Sequence, residues 1–272
     1  MSRVAAIDCG TNSIRLLIAD INGDNFQEIT REMEIVRLGQ GVDATGKFDP
    51  EAIERTLAAT RKYAEIIATK GVEKIRFCAT SATRDASNRD LFIDGVREIL
   101  GIEPEVIPGT EEAELSFIGA TKGLVHTESP YLVVDIGGGS TEFVLGTTEV
   151  EYAKSVDIGC VRMSERHLNK APQDPLAIQK AIQDIDEAIA DAAYIVPIKE
   201  AKTLIAVAGT ATTVAAAALG LNEYDRHAIH LSRIPAAKVI EIAQMFSLMS
   251  REEIAALGYM HPGRIEVIAA GS

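Results

Sequence analysis

The sequence predicts an α/β protein of two related domains facing a shared cleft, and three observations carry that expectation. The first is an internal repeat. Ile7-Asp8-Cys9-Gly10-Thr11-Asn12-Ser13-Ile14-Arg15 aligns without a gap on Val134-Asp135-Ile136-Gly137-Gly138-Gly139-Ser140-Thr141-Glu142, with Asp, Gly and Ser coinciding at a constant offset of 127 residues. The second is that both copies read as a hairpin followed by a strand, helices and a later strand. The third is size: 272 residues, 47% hydrophobic and 25% charged, is ordinary globular composition with room for two domains.

Taken in order, residues 4–20 read as two strands, VAAID and IRLLIAD, around the small-residue turn CGTNS. Asn22-Gly23-Asp24 gives another turn, and a third strand over residues 26–38 completes a meander. Asp49 as N-cap and Pro50 at the first helical position open an amphipathic helix over 50–70, which Gly71 stops. A short strand (74–79) runs into a polar turn (80–85), then a helix over 88–100 closes at Gly101. Residues 105–107 form a strand and 111–123 a helix whose leading acids suit its dipole. The polar run 126–130 marks the expected boundary between domains 1–126 and 127–272.

The second domain opens with a hairpin over 131–146, YLVVDIGGGSTEFVLG. A strand (152–157), a helix (162–168) and a long amphipathic helix (175–196) follow. A strand over 203–208 leads through Gly209-Thr210 into an Ala-rich helix ending at Leu219. Helices over 236–249 and 251–257, a loop at 260–263 and a final helix complete the chain.

The net charge of −13 argues against a broad basic surface for nucleic acid or an anionic membrane. Cys9, Cys78 and Cys160 are far apart without a CxxC pair, which fits a reducing cytosol and neither a disulfide framework nor zinc. The N-terminal MSRVAAIDCG does not read as a signal peptide. The uncharged run 204–221 is Ala/Thr/Gly-rich and broken by Gly209-Thr210, so it reads as strand, turn and buried helix in a soluble protein.

Each hairpin supplies a carboxylate, bare backbone amides and a hydroxyl. Glycine turns with free N–H groups suit phosphate oxygens, and a carboxylate beside them suits Mg2+. Asp8 and Asp135 are therefore the metal candidates. Thr11, Asn12 and Ser13, with Gly137, Gly138, Gly139 and Ser140, are the phosphate candidates. Arg15 shares a strand face with Ser13, from which a guanidinium grips phosphate or simply meets solvent. Arg84, in the turn after a strand, reads by residue type as a solvated loop arginine before it reads as a ligand contact. Glu111, Glu112 and Glu114 complement a helix dipole, and one of them could instead serve as a general base. Glu142 enters an apolar strand, a position from which it could face the cleft. Gly209-Thr210, between strand and helix, offers either amides to an anion or a plain turn. The His261-Pro262-Gly263-Arg264 loop reads first as surface. The chain has no GxxxxGK[ST], GxGxxG or Ser-His-Asp signature.

The paired DxG hairpins and the later AGT segment resemble the actin, heat-shock-chaperone and sugar-kinase ATPase superfamily, which implies two duplicated ribonuclease-H-like domains with an interdomain cleft. More narrowly, AAIDCGTNSIRLLIAD, FCATSATRDA, IPGTEEAELSFIGA, VVDIGGGSTEFVLG, SVDIGCVRMSE, LIAVAGTATTVAA and GYMHPGRIEVIAAG resemble the exopolyphosphatase and guanosine pentaphosphate phosphohydrolase family. The resemblance implies a cytoplasmic, Mg2+-dependent hydrolase acting on inorganic polyphosphate or guanosine pentaphosphate. A homodimer is compatible with it. By motif position Glu112 is the implied general base, Asp135 and Glu142 are acids of the catalytic centre, and Asp8 joins Asp135 around metal. Arg84 is an implied phosphate contact, with Thr11, Asn12, Ser13, Arg15, Gly137, Gly138, Gly139, Ser140, Gly209 and Thr210 in phosphate loops. Members continue beyond the AAG segment into further helix, and longer ones carry extra helical domains that grip polymer; this sequence ends at Ser272, so its second domain is expected to be shortened and processive grip is not expected.

The implied mechanism is in-line attack by water on a terminal phosphoryl group. With the boundary at 126/127, Glu112 lies in the domain opposite Asp135 and Glu142, so catalysis is expected to depend on domain closure. Competing readings are a superfamily ATPase or kinase, and a non-catalytic phosphate or alarmone sensor.

Overall fold

The computed structural model describes residues 2–23, 25–124 and 127–272; Asp24 of the expected turn and His126 at the expected boundary lie outside them. The chain divides into two compact units, Met1–Pro108 and Gly109–Ser272. The division falls before the expected 126/127 position, at Pro108. The helix that precedes the expected boundary therefore belongs with the second unit, which places Glu112 in the same unit as Asp135 and Glu142.

In the first unit, β1 (Ser2–Cys9), β2 (Ser13–Asn22) and β3 (Asn25–Ile35) form an antiparallel meander. After α1 (Val42–Thr45) and α2 (Pro50–Lys70), β4 (Lys74–Ala79) returns parallel to β1. Then come α3 (Ser81–Asp85), α4 (Asp90–Leu100) and β5 (Glu105–Val106), giving the strand order β3-β2-β1-β4-β5. Alternation decides which face is core: Ala5, Ile7 and Cys9 on β1 and Ile14, Leu16 and Ile18 on β2 are buried, while Asp8 is exposed. The α2 helix covers that core. Asp49 caps it by accepting from the amides of Glu51 and Ala52 at 2.7 and 3.3 Å, and Pro50 occupies its first position. Such a cap contributes about 1 kcal/mol. Tyr63 on the helix donates to the Ile14 carbonyl at 3.0 Å. Phe92 of α4 meets Phe48 and Phe77 edge-on.

Two expectations shift locally. The segment 80–85, expected as a polar turn, contains helix α3, because Thr83 and Arg84 donate their amides back to Thr80. The third strand stops at Ile35; the amides of Val36 and Arg37 both turn to the Asn12 carbonyl at 3.0 Å, which ties them to the first hairpin loop.

The second unit begins with α5 (Gly109–Thr121) and the strands β6 (Tyr131–Ile136), β7 (Thr141–Gly146) and β8 (Val150–Val156). Then follow α6 (Cys160–Arg166), α7 (Pro175–Ile195), β9 (Thr203–Val207) and α8 (Ala208–Ala218). The short α9 (Arg226–Ile229), α10 (Ala236–Leu248), α11 (Arg251–Ala255) and α12 (Ile268–Gly271) complete it. Strand order is β8-β7-β6-β9, with β6-β7-β8 antiparallel and β9 parallel to β6. That repeats β3-β2-β1-β4 strand for strand, the ribonuclease-H-like order; among the described residues β5 has no counterpart here. Every residue of β7 is buried. Phe143 and Leu145 pack into a cluster with Ala181, Ala192 and Val196 of the α7 region, and Val144 packs with Val133 and with Ala113 and Phe117 of α5. Ala113 and Phe117 are four apart on one helix face, so the second sheet claims α5 through ordinary helical periodicity. No described helix is long and apolar enough to cross a membrane.

Candidate functional site

The two hairpin loops are built alike. In the first, the Gly10 amide donates to the Ser13 carbonyl at 2.9 Å; in the second, Gly137 donates to Ser140 at 3.0 Å. The amides of Thr11, Asn12 and Ser13, and those of Gly138, Gly139 and Ser140, have no acceptor among the described residues. A run of bare amides in a tight turn is a concavity for an anion.

Around the first loop, Asp8 on β1 lies directly opposite Arg15 on β2, and their side chains pair at 3.8 Å with 54% and 40% exposure. Arg84, in α3, donates through Nη1 to the Ile107 carbonyl at 2.9 Å. Thr11 is buried. Asn12 Oδ1 and Thr83 Oγ1 are the buried side-chain atoms that lack a hydrogen-bond partner among the described residues. A buried polar atom left unpaired costs about 1–3 kcal/mol. Both orphans belong to the segments that leave β1 and β4 at one end of the first sheet, the end that carries Thr11, Ser13 and Arg84.

The second loop is braced from behind. The amides of Cys160, Val161 and Arg162 at the start of α6 donate to the Gly137 and Gly138 carbonyls at 2.9–3.1 Å, and Arg162 Nε donates to Gly139 O at 2.7 Å. Gly159 lies so close that a Cβ there would stand 2.5 Å from the Gly138 carbonyl carbon. With the carbonyls held by α6, the loop leaves its amides as the groups for a ligand.

Beside this loop stand the carboxylates. Asp135 is directly across from Glu142, and Glu142 is across from Ser155 on β8, so the three form a row on one face of the sheet. The α5 helix packs over β6, β7 and β8. From it the Ser116 hydroxyl donates to Asp135 Oδ2, and Glu112, one turn earlier, adds its negative charge against Glu142. Glu142 is 1% exposed. Its Oε1 accepts from Ser140 Oγ at 2.8 Å and from Ser155 Oγ at 2.7 Å. Burial pushes its carboxyl up to about 8; the charges of Glu112 and Asp135 push the same way, against the two serine hydroxyls.

Gly209 and Thr210 lie in the first turn of α8. The guanidinium of Arg264 lies on Gly209, so a Cβ there would stand 2.6 Å from Nη2. Arg264 also donates to Thr213 Oγ1 at 3.0 Å, and Thr213 in turn to the Gly209 carbonyl at 2.8 Å. Thr210 is buried, with its hydroxyl bonded to Cys160. Arg264 therefore moves from a surface loop residue to the group that covers this turn. Ser116, Ser155 and Arg162 are absent from the sequence-derived candidates, and Arg264 sits in the loop that the sequence reads first as surface. The spacing of Ser116 four residues after Glu112 was the available signal for one of them.

Among the described residues no group of three or more His, Cys, Asp or Glu side chains is arranged to hold a metal ion. A cavity of about 410 Å3 lies at the far end of the second hairpin, between Tyr131, Thr147 and the end of α5, away from the carboxylates.

The Ppx/GppA phosphatase family model matches residues 17–272. Exopolyphosphatase 2 of Mycobacterium tuberculosis is 48% identical over 281 aligned residues, spanning 100% of this chain and 88% of the relative. The crystal structure of an exopolyphosphatase-like protein superposes with a TM-score of 0.97 at 46% identity, covering 99% of this chain and 85% of the other. An exopolyphosphatase from Cytophaga hutchinsonii gives 0.85 at 27% identity, covering 99% and 87%.

Proposed function

Because the chain belongs to the Ppx/GppA phosphatase family, we infer that it is an exopolyphosphatase, a hydrolase that releases terminal phosphate from inorganic polyphosphate. The observation that carries this reading is the juxtaposition, within one unit, of the bare amides at 138–140 and the acidic row formed by Asp135 and Glu142 under Glu112. Amides bind the phosphoryl oxygens, and a carboxylate on the rigid α5 scaffold orients and deprotonates the attacking water. Glu112 takes that role: it lies on α5 one turn before Ser116, which bonds Asp135, and its charge bears on Glu142. Thr11, Asn12, Ser13, Arg15 and Arg84 are the first unit's phosphate contacts in this reading, and the buried Thr83 hydroxyl, unpartnered among the described residues, is a further donor at that end of the first sheet.

A Mg2+ ion fits the chemistry of these donors. Asp135 lies directly across a strand pair from Glu142, whose carboxyl is pushed up by burial and then by the charges of Glu112 and Asp135, and a cation would relieve that repulsion. The lack of a three-carboxylate cage agrees with the habit of Mg2+, which takes one or two carboxylates and completes its shell with water and phosphate oxygens. In the second unit Asp135 would hold it, and Asp8 is the corresponding carboxylate of the first unit. When bound it supplies charge neutralisation to the phosphate oxygens. Asp135 is kept in orientation by Ser116, and α6 keeps the loop open for the substrate.

Incubation with polyphosphate, guanosine pentaphosphate and ATP in separate reactions with Mg2+ tests the reading by phosphate release. Release from polyphosphate is expected. Release confined to guanosine pentaphosphate would make the enzyme an alarmone phosphohydrolase. Thermal stabilisation by either ligand without release would make the protein a sensor.

A further inference from the structure

Glu142 has a partner that neither the sequence motifs nor the comparisons assign. Ser155 lies directly opposite it on β8, and its hydroxyl reaches Oε1 at 2.7 Å. The Ser140 hydroxyl reaches the same atom from the loop at 2.8 Å. Two donors from different elements therefore fix one carboxylate oxygen, and neither bonds Oε2.

Packing does not explain a serine here. The neighbouring Lys154 points away to Asp191 at 3.1 Å, and Val156 enters the α7 cluster. A strand position of this kind favours a β-branched residue, and serine contributes a hydroxyl at the expense of strand propensity. The repeat supplies an internal control. In the first unit the equivalent cross-strand row runs Asp8, Arg15, Met33. A hydroxyl-bearing partner occurs where the central residue of the row is the buried glutamate and not where it is the exposed arginine.

We propose that Ser155 is a positioning residue for Glu142: with Ser140 it holds Oε1 and leaves Oε2 as the oxygen that Glu142 presents to the reacting phosphate, an inference that rests on the phosphatase reading above. Because Ser140 also belongs to the phosphate loop, Ser155 is the member of the pair that can be altered without disturbing the loop.

Ser155→Ala should lower kcat for phosphate release roughly tenfold, the factor expected for a lost hydrogen bond to a carboxyl group, while KM stays within about twofold. Ser155→Thr, which restores a hydroxyl on a strand-favouring residue, should recover most of the rate. The melting temperature of each variant reports whether the fold is intact. An unchanged kcat in Ser155→Ala, or a loss that Ser155→Thr fails to recover in a folded protein, overturns the assignment. If the unaltered protein releases no phosphate from any of the substrates, the functional reading falls instead. Ser155 is then read by a double-mutant cycle with Glu142→Gln in urea unfolding, where strictly additive effects overturn the contact.

Discussion

Residues 15 and 142 occupy the same place in the two copies of the hairpin, each directly across from the aspartate of its own DxG segment, and they could hardly differ more. In the first unit the partner of Asp8 is an arginine; the pair lies open to solvent at 3.8 Å and is electrically closed. In the second unit the partner of Asp135 is a glutamate, almost fully buried beside Glu112, and the row is charged on one side only. The same backbone thus carries an acid and a base across from each other in one unit and two carboxyl groups in the other. The two turns close with the same hydrogen bond, and the residue across from the aspartate sets whether the row gathers negative charge.

The largest effect should come from Glu112→Gln, which removes the base but keeps the hydrogen-bonding shape. Turnover should fall by about 10^2–10^4 with the melting temperature unchanged, and phosphate release at the original rate would return the water-activating role to another group. Next comes the buried carboxyl itself. Since Glu142 binds its proton more tightly in the fold than when unfolded, its stabilising contribution is full below pH 4.5, its ordinary value, and is lost as pH rises toward about 8. Urea unfolding of metal-free protein should show this decline, on the order of a few kcal/mol, and Glu142→Gln should flatten it. A parallel decline in the variant would place the titration elsewhere. On the first unit, Arg84→Ala should raise KM for polyphosphate about tenfold, the price of one charged phosphate contact, with little change in kcat. Smallest of all, Arg15→Ala should cost less than about 1 kcal/mol of stability, because an exposed pair is screened by solvent. A much greater loss would mean that the two hairpins are not so different.

Much of the architecture was legible because it is written locally. Alternation in residues 4–20 and the Asp49-Pro50 cap fix strands and a helix from a few neighbours. The repeat of Asp, Gly and Ser announced two hairpins that the structure builds with the same closing hydrogen bond. What could not be read depends on distant partners. The α5 helix has acidic residues at its start and a polar segment after it, and nothing local tells which sheet will take Ala113 and Phe117; Val133 and Val144 do. That placement removes the need for closure between domains to bring Glu112 to Asp135 and Glu142. Ser155 becomes meaningful only through the register of β8 against β7, and Arg264 only through the fold that lays it on Gly209.

The brace behind the second loop has a consequence for mutational tolerance. Gly159 follows the loop by two strands, yet any side chain there would collide with the Gly138 backbone, so it is a wall of the second hairpin loop in everything but sequence position. A survey of inactive but well-folded variants should therefore cluster at 159–162 as densely as at 137–140. In the gene these look like two motifs; in the molecule they are one object, and drift in either is confined by the other.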